Sequence, residues 1–113
     1  MSQTDKRKLR EQYNARKITG GVFVIKNSKT GKMLLQWAAD LQGSRNRFEF
    51  SKKTGSCVNL ILQREWNIYG ADAFDFEILN QLDMKDEQTQ NEFTEEIKLL
   101  ETMWRERLEG RLY

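Results

Sequence analysis

The sequence predicts an α/β (α+β) fold: a small three-stranded antiparallel sheet flanked by helices, with an extra basic helix at the N-terminus. Three observations carry the prediction. A β-branched and aromatic run at 21–27 is followed, across a glycine turn, by a second apolar run at 33–38. Residues 74–78 alternate strictly between apolar and acidic. Near the C-terminus Phe93, Ile97, Leu100, Trp104 and Leu108 recur at helical spacing.

In chain order, TDKRKLREQYNARK at 4–17 reads as a basic helix on which Leu9 and Tyr13, four apart, share a face. ITGG ends it, and residues 1–19 form a segment distinct from a domain at 20–110. GVFVIKN is a buried strand, SKTGK a turn, and MLLQWA the returning strand of a hairpin. Asp40 is placed to cap a short helix through LQGSRNRF, although Gly43 weakens it, and SKKTGS reads as a loop. A second helix opens at Ser56 or Cys57 and runs to Tyr69, with Val58, Leu62, Trp66 and Tyr69 on one face and Gly70 as its C-cap. FDFEILNQL is the third strand. The closing helix begins at Asp86 or Thr89 and stops near Gly110. Cys57, Trp37, Trp66 and Trp104 are expected in the core.

Composition excludes several chemistries. With no histidine and one cysteine among 113 residues, His/Cys metal sites and histidine-based triads are impossible, and so is an internal disulfide. The lone thiol and the lack of a signal-peptide pattern point to a reducing, cytoplasmic setting, and no apolar run approaches membrane-spanning length. Net charge is +2, but residues 1–64 carry +10 and residues 65–113 carry −8. That asymmetry suits either a nucleic-acid-facing surface or mutual attraction across the fold.

Two constellations stand out. On the closing helix Glu101 lies nearer the centre of the apolar stripe than Glu95, Glu96, Glu106 or Glu109, bracketed by Ile97 and Trp104. A carboxylate there needs a partner: either an Arg or Lys on the sheet (or solvent, by snorkelling), or a hard divalent cation. Upstream, Arg45, Arg47, Lys52 and Lys53 interleave with Phe48 and Phe50. Guanidinium groups there can hold phosphates while the rings stack on bases, or the phenylalanines are core and the cations coat the surface.

Taken together, these segments resemble the GIY-YIG nuclease domain, over about residues 20–108. Gly21-Val22-Phe23 with its hairpin is similar to the first motif, and Leu34-Leu35-Gln36 occupies the second. DLQGSRNRF resembles the segment that delivers the family's arginine. LQREWNIYGADAFDFEIL resembles the helix, glycine turn and third strand, and LLETMWRERL the closing helix with a glutamate three before an aromatic residue. The resemblance implies a three-stranded antiparallel sheet and cleavage of DNA phosphodiesters with one divalent metal, Mg²⁺ or Mn²⁺. Glu101 would be the metal ligand. Arg47, or Arg45 if the local match slips, would neutralise charge on the phosphate. Lys26, Lys32, Arg45, Arg47, Lys52, Lys53 and Arg64 would meet nucleic acid. The chain departs from the pattern at both tyrosines, replaced by Phe23 and Leu34; at the motif glycine, replaced by Gln36; and at the histidine, which would fall near Ser51. Losing a general base costs about 10²–10⁴ in rate. Three functions remain open on the sequence: a metal-dependent endonuclease with a modified site, a nucleic-acid-binding module, and an inactive scaffold for protein interaction.

Overall fold

The computed structural model describes residues 19–56 and 59–113. The basic segment at 4–17, Cys57 and Val58 lie outside them. The described elements are β1 (Thr19–Asn27), β2 (Met33–Ala38), α1 (Leu41–Thr54), α2 (Leu60–Tyr69), a 3₁₀ turn (Ala71–Ala73), β3 (Phe74–Asp83) and α3 (Gln90–Arg107). The expected α+β class is the one observed: an antiparallel sheet in the order β2-β1-β3, with helices on both faces.

Alternation along β1 sorts its side chains between two cores. Phe23 and Ile25 join Leu34, Phe48, Leu62, Trp66 and Phe74 beneath α1 and α2. Val22 and Val24 join Met33, Leu35, Phe93 and Ile97 beneath α3. The first core is an aromatic column: Phe23 stacks on Phe76 at 4.5 Å, Phe48 lies 5.8 Å from Phe76 and 6.4 Å from Trp66, and Trp66 stacks on Phe74 at 4.9 Å. Such pairs contribute about 0.5–1.5 kcal/mol each beyond the area they bury. The second core depends on one helix. Phe93 and Ile97 are both fully buried, which stabilises α3 on the sheet by roughly 1.5–3 kcal/mol per side chain.

β1 and β3 keep register except at one bulge. Val22 pairs with Asn80 and Phe23 with Ile78, so Leu79 is the extra residue. Beside it the β1 backbone comes so close to β3 that a Cβ on Gly21 would lie 1.9 Å from the Asn80 carbonyl oxygen. Only glycine fits there, which gives the first motif residue a structural reason.

α1 is longer than expected. Asp40 caps it through the Gly43 amide at 3.1 Å, as predicted, but the helix continues through SKKT. Polar residues there bond back to the helix: Ser51 Oγ donates to the Arg47 carbonyl (2.9 Å) and Thr54 Oγ1 to that of Phe50 (3.1 Å). Gly55, at φ 76°, closes the helix in the left-handed region. α2 starts later than expected, at Leu60, capped by Asn59. α3 starts with a capping box between Thr89 and Glu92 and ends at Arg107, short of Gly110. The chain past Gly110 still packs on the sheet: Met33 N–H donates to the Arg111 carbonyl at 2.9 Å and Tyr113 N–H to that of Met33 at 3.0 Å. Of the three tryptophans expected in the core, Trp66 is buried, Trp104 half-buried and Trp37 37% exposed. Phe48 is core, whereas Phe50 is 67% exposed.

Candidate nucleic-acid interface

The candidate site gathers around β2, one of the two edge strands. On the α1 face an open cleft of about 600 Å³ is lined by Phe23, Gln36, Trp37, Asp40, Ser44 and Arg47. It brings together three positions that the sequence singled out: Phe23 in the first motif, Gln36 in the second, and Arg47. The Arg47 guanidinium donates to Ser44 Oγ at 3.3 Å, and Arg45 lies over the Phe76 ring at 5.3 Å. Neither guanidinium pairs with a carboxylate among the described residues. Both are exposed and free to take phosphate oxygens. Lys52 lies 5.6 Å from the Phe48 ring, and Lys53 is exposed at the helix end.

No polar side chain replaces the family's phenols at either motif position. Phe23 is 4% exposed and packed on Phe76, and Leu34 is buried in the same core. Ser51, near the place of the histidine, is buried and its hydroxyl bonds a helix carbonyl.

Glu101 approaches from the other side. It stands on α3, which covers the opposite face of the sheet, and its Oε1 accepts from Arg105 Nη2 at 3.0 Å. Three residues before it, on the same flank of α3, Lys98 Nζ lies 5.5 Å from the centroid of the Trp37 ring. That contact orients the flank toward β2. Glu101 and Arg47 therefore approach the edge strand from opposite faces and do not touch. Lys26 alternates onto the α3 face, directly across from Asp75 on β3.

The donor set bears on the metal that the resemblance implies. Among the described residues, no three His, Cys, Asp or Glu side chains converge on one point. Glu101 is a single carboxylate, and its Oε2 has no protein partner there. Mg²⁺ and Mn²⁺ accept one carboxylate when waters and phosphate oxygens complete the shell. The residues thus fit an ion shared with a nucleic acid, not one caged by the chain alone.

Lys32 and Arg64 sit at the far, hairpin end of the sheet, beside a polar network that sequence reasoning missed. Asn27 is fully buried at the end of β1. Its Nδ2 donates to Glu65 Oε2 at 2.9 Å, its Oδ1 accepts from the Lys29 amide, and Tyr113 Oη donates to the same Glu65 oxygen. The Tyr113 hydrogen bond, followed by that of Asn27 and the nearby Lys32 and Arg64 charges, holds the Glu65 carboxyl below its usual value. Desolvation, then the bond to Glu65, pushes the Tyr113 phenol above its usual value. An asparagine closing a strand was the one available sequence signal.

With the geometry in hand, the fold is recognisable. The chain is similar to the catalytic domain of the intron endonuclease I-TevI, in a point-mutant structure, with a TM-score of 0.61 and 22% identity over 84% of this chain and 91% of that one. A second structure, of the catalytic domain of the homing endonuclease I-TevI, matches with a TM-score of 0.58 and 22% identity over 82% and 96%. The three-stranded sheet with its helices is the fold of the GIY-YIG catalytic domain. At this identity the likeness establishes the fold. No family model matches the chain, and no curated protein matches it by sequence.

Proposed function

We propose that this chain is a DNA-binding protein on a GIY-YIG-like nuclease scaffold, whose divalent-metal-dependent endonuclease activity is slowed by the loss of both motif phenols. The observation that carries the reading is the pair of exposed guanidinium groups on α1, Arg47 at the cleft and Arg45 over Phe76, without acidic partners among the described residues. Arg47 takes a phosphate oxygen and opposes the charge that develops there; Arg45 and Lys53 extend the contact along the backbone. Lys32 and Arg64 add a second contact at the hairpin end. Glu101 would hold Mg²⁺ or Mn²⁺ through its unpaired carboxylate oxygen, with waters and phosphate oxygens completing the shell. When bound, the ion supplies Lewis-acid polarisation and a more acidic water. Phe23 and Leu34 offer no proton acceptor, so the chain does not itself activate the attacking water.

The test is supercoiled plasmid with Mg²⁺ or Mn²⁺, wild type beside Glu101→Ala, alongside binding at increasing salt. Slow nicking by wild type alone is expected, with affinity falling steeply as salt rises, because phosphate contacts release counterions. Nicking that survives Glu101→Ala, or binding indifferent to salt, would count against the proposal.

A second reading, a scaffold for protein interaction, is favoured by α2. Leu60 (90% exposed), Ile61 and Ile68 leave its outer face apolar. Light scattering that shows a stable oligomer indifferent to DNA would put this reading first.

A further inference from the structure

We propose that Trp37 is a stacking platform for an unpaired base, so that the site's preferred ligand is single-stranded or locally opened nucleic acid and not perfect duplex. The inference rests on the DNA-binding proposal and narrows its substrate class.

The position of Trp37 is unusual for its size. A tryptophan is the largest apolar surface a chain can bury, and this fold buries Trp66 to 3% while leaving Trp37 at 37%. The exposure follows from the strand that carries it. β2 pairs with β1 on one side; on the other, the described chain supplies only Leu112, bridged to Met33. Trp37 lies four residues on, about 13 Å along the strand. No described strand pairs with that stretch of edge; Trp37 is among the residues bordering the cleft, and alternation along β2 turns its ring onto the α3 face, opposite Gln36.

Cations from two helices stand on the two faces of this stretch of β2, one of them over the ring. Arg47 lines the same cleft from α1, and Lys98 lies over the indole from α3. Lys98 is only loosely held elsewhere: Glu95 is 3.7 Å away and both side chains are half exposed or more. A nucleobase offers a π-face that an indole accepts whatever the base, with phosphates on either side for two cations. In a duplex that face is already stacked on neighbouring bases. An unpaired or unstacked base has it free, displaces the Lys98 ammonium from the ring, and leaves that charge to meet a flanking phosphate. None of these roles depends on Phe23 or Leu34.

The experiment uses the full chain with EDTA, so that nothing is cut. Anisotropy would compare a mixed-sequence single-stranded oligonucleotide with a blunt duplex of equal length, for wild type, Trp37→Ala and Trp37→Phe. Wild type is expected to favour the single strand. Trp37→Ala should lose about 5-fold or more on that strand and little on the duplex, while Trp37→Phe keeps most of the affinity. Tryptophan emission of wild type should be quenched by the single strand, and the quench should be missing in Trp37→Phe. Single-strand affinity unchanged in Trp37→Ala, or unquenched emission at saturation, would overturn the stacking role while leaving DNA binding intact. Absence of binding to either oligonucleotide would overturn both proposals.

Discussion

The two ends of one sheet face treat polar groups in opposite ways. Toward the cleft, Phe23 on the central strand stands where the resemblance expects one phenol, Leu34 opposite Ile25 stands where it expects the other, and the hydroxyl of Ser51 is tied to a helix carbonyl. At the hairpin end, less than 15 Å away by strand rise, Asn27, Glu65 and Tyr113 form a bonded cluster around a fully buried amide. Polar side chains are absent where the resemblance expects phenols and present where they hold the fold. A buried amide cannot be left unbonded without a cost of about 1–3 kcal/mol, whereas an apolar ring in place of a phenol costs the fold little.

The largest expected effect comes from Gly21, which serves both ends through β1. Gly21→Ala should destabilise the chain by about 3 kcal/mol or more in urea denaturation, because the new Cβ meets backbone and not a flexible side chain. Next, Asn27→Ala should cost about 2–3 kcal/mol by the same measurement while leaving salt-dependent DNA affinity unchanged. Loss of affinity without loss of stability would erase the contrast between the ends. At the other end, Phe23→Tyr should raise plasmid nicking on the order of 10²-fold, the low end of what a positioned acid–base group contributes, with the melting temperature nearly unmoved. Unchanged nicking would mean that the missing phenol is not what limits cleavage.

The smallest effect is a pH profile. The lowered Glu65 pKa means that its stabilisation is present above the ordinary value of 4.5 and is lost as pH falls through the lower folded-state value. The raised Tyr113 pKa means that its stabilisation is present below 10.0 and is lost as pH rises through the higher folded-state value. Tyr113→Phe should therefore flatten both flanks of an unfolding free-energy profile against pH, measured by urea denaturation, and lower its plateau by about 1 kcal/mol. An unaltered acid flank would assign the Glu65 shift to its other neighbours.

What was legible in the sequence was local. The hairpin, the alternation of Phe74, Phe76 and Ile78, and the stripe through Phe93, Ile97 and Trp104 each need only a short window, and each forms close to where it was expected. SKKT misled because Ser and Thr in a polar stretch look like a loop; their bonds to carbonyls four residues back show that they also suit a helix end. The Asn27 cluster was illegible because its partners lie 38 and 48 residues from Glu65 in the chain. Trp37 was read as core because size argues for burial, whereas its exposure depends on whether any element covers the edge of β2. In the candidate site, Phe23, Gln36 and Arg47 were placed in one neighbourhood by motif order alone; the approach of Glu101 from the opposite face required the topology.

The extra residue at Leu79 works as a phase shifter. Before it, even-numbered residues of β3 such as Phe76 and Ile78 face the aromatic column; after it, the even-numbered Asn80 points the other way and receives the Trp104 indole N–H at 2.5 Å. One added residue flips the numbering phase of β3 without breaking its pairing with β1. Deleting Leu79 would leave Asn80 opposite Val22 and Gln81 opposite Gly21, so a one-residue change in length would close the bulge into a regular ladder and remove only its extra twist and the Leu79 contact with the α3 core.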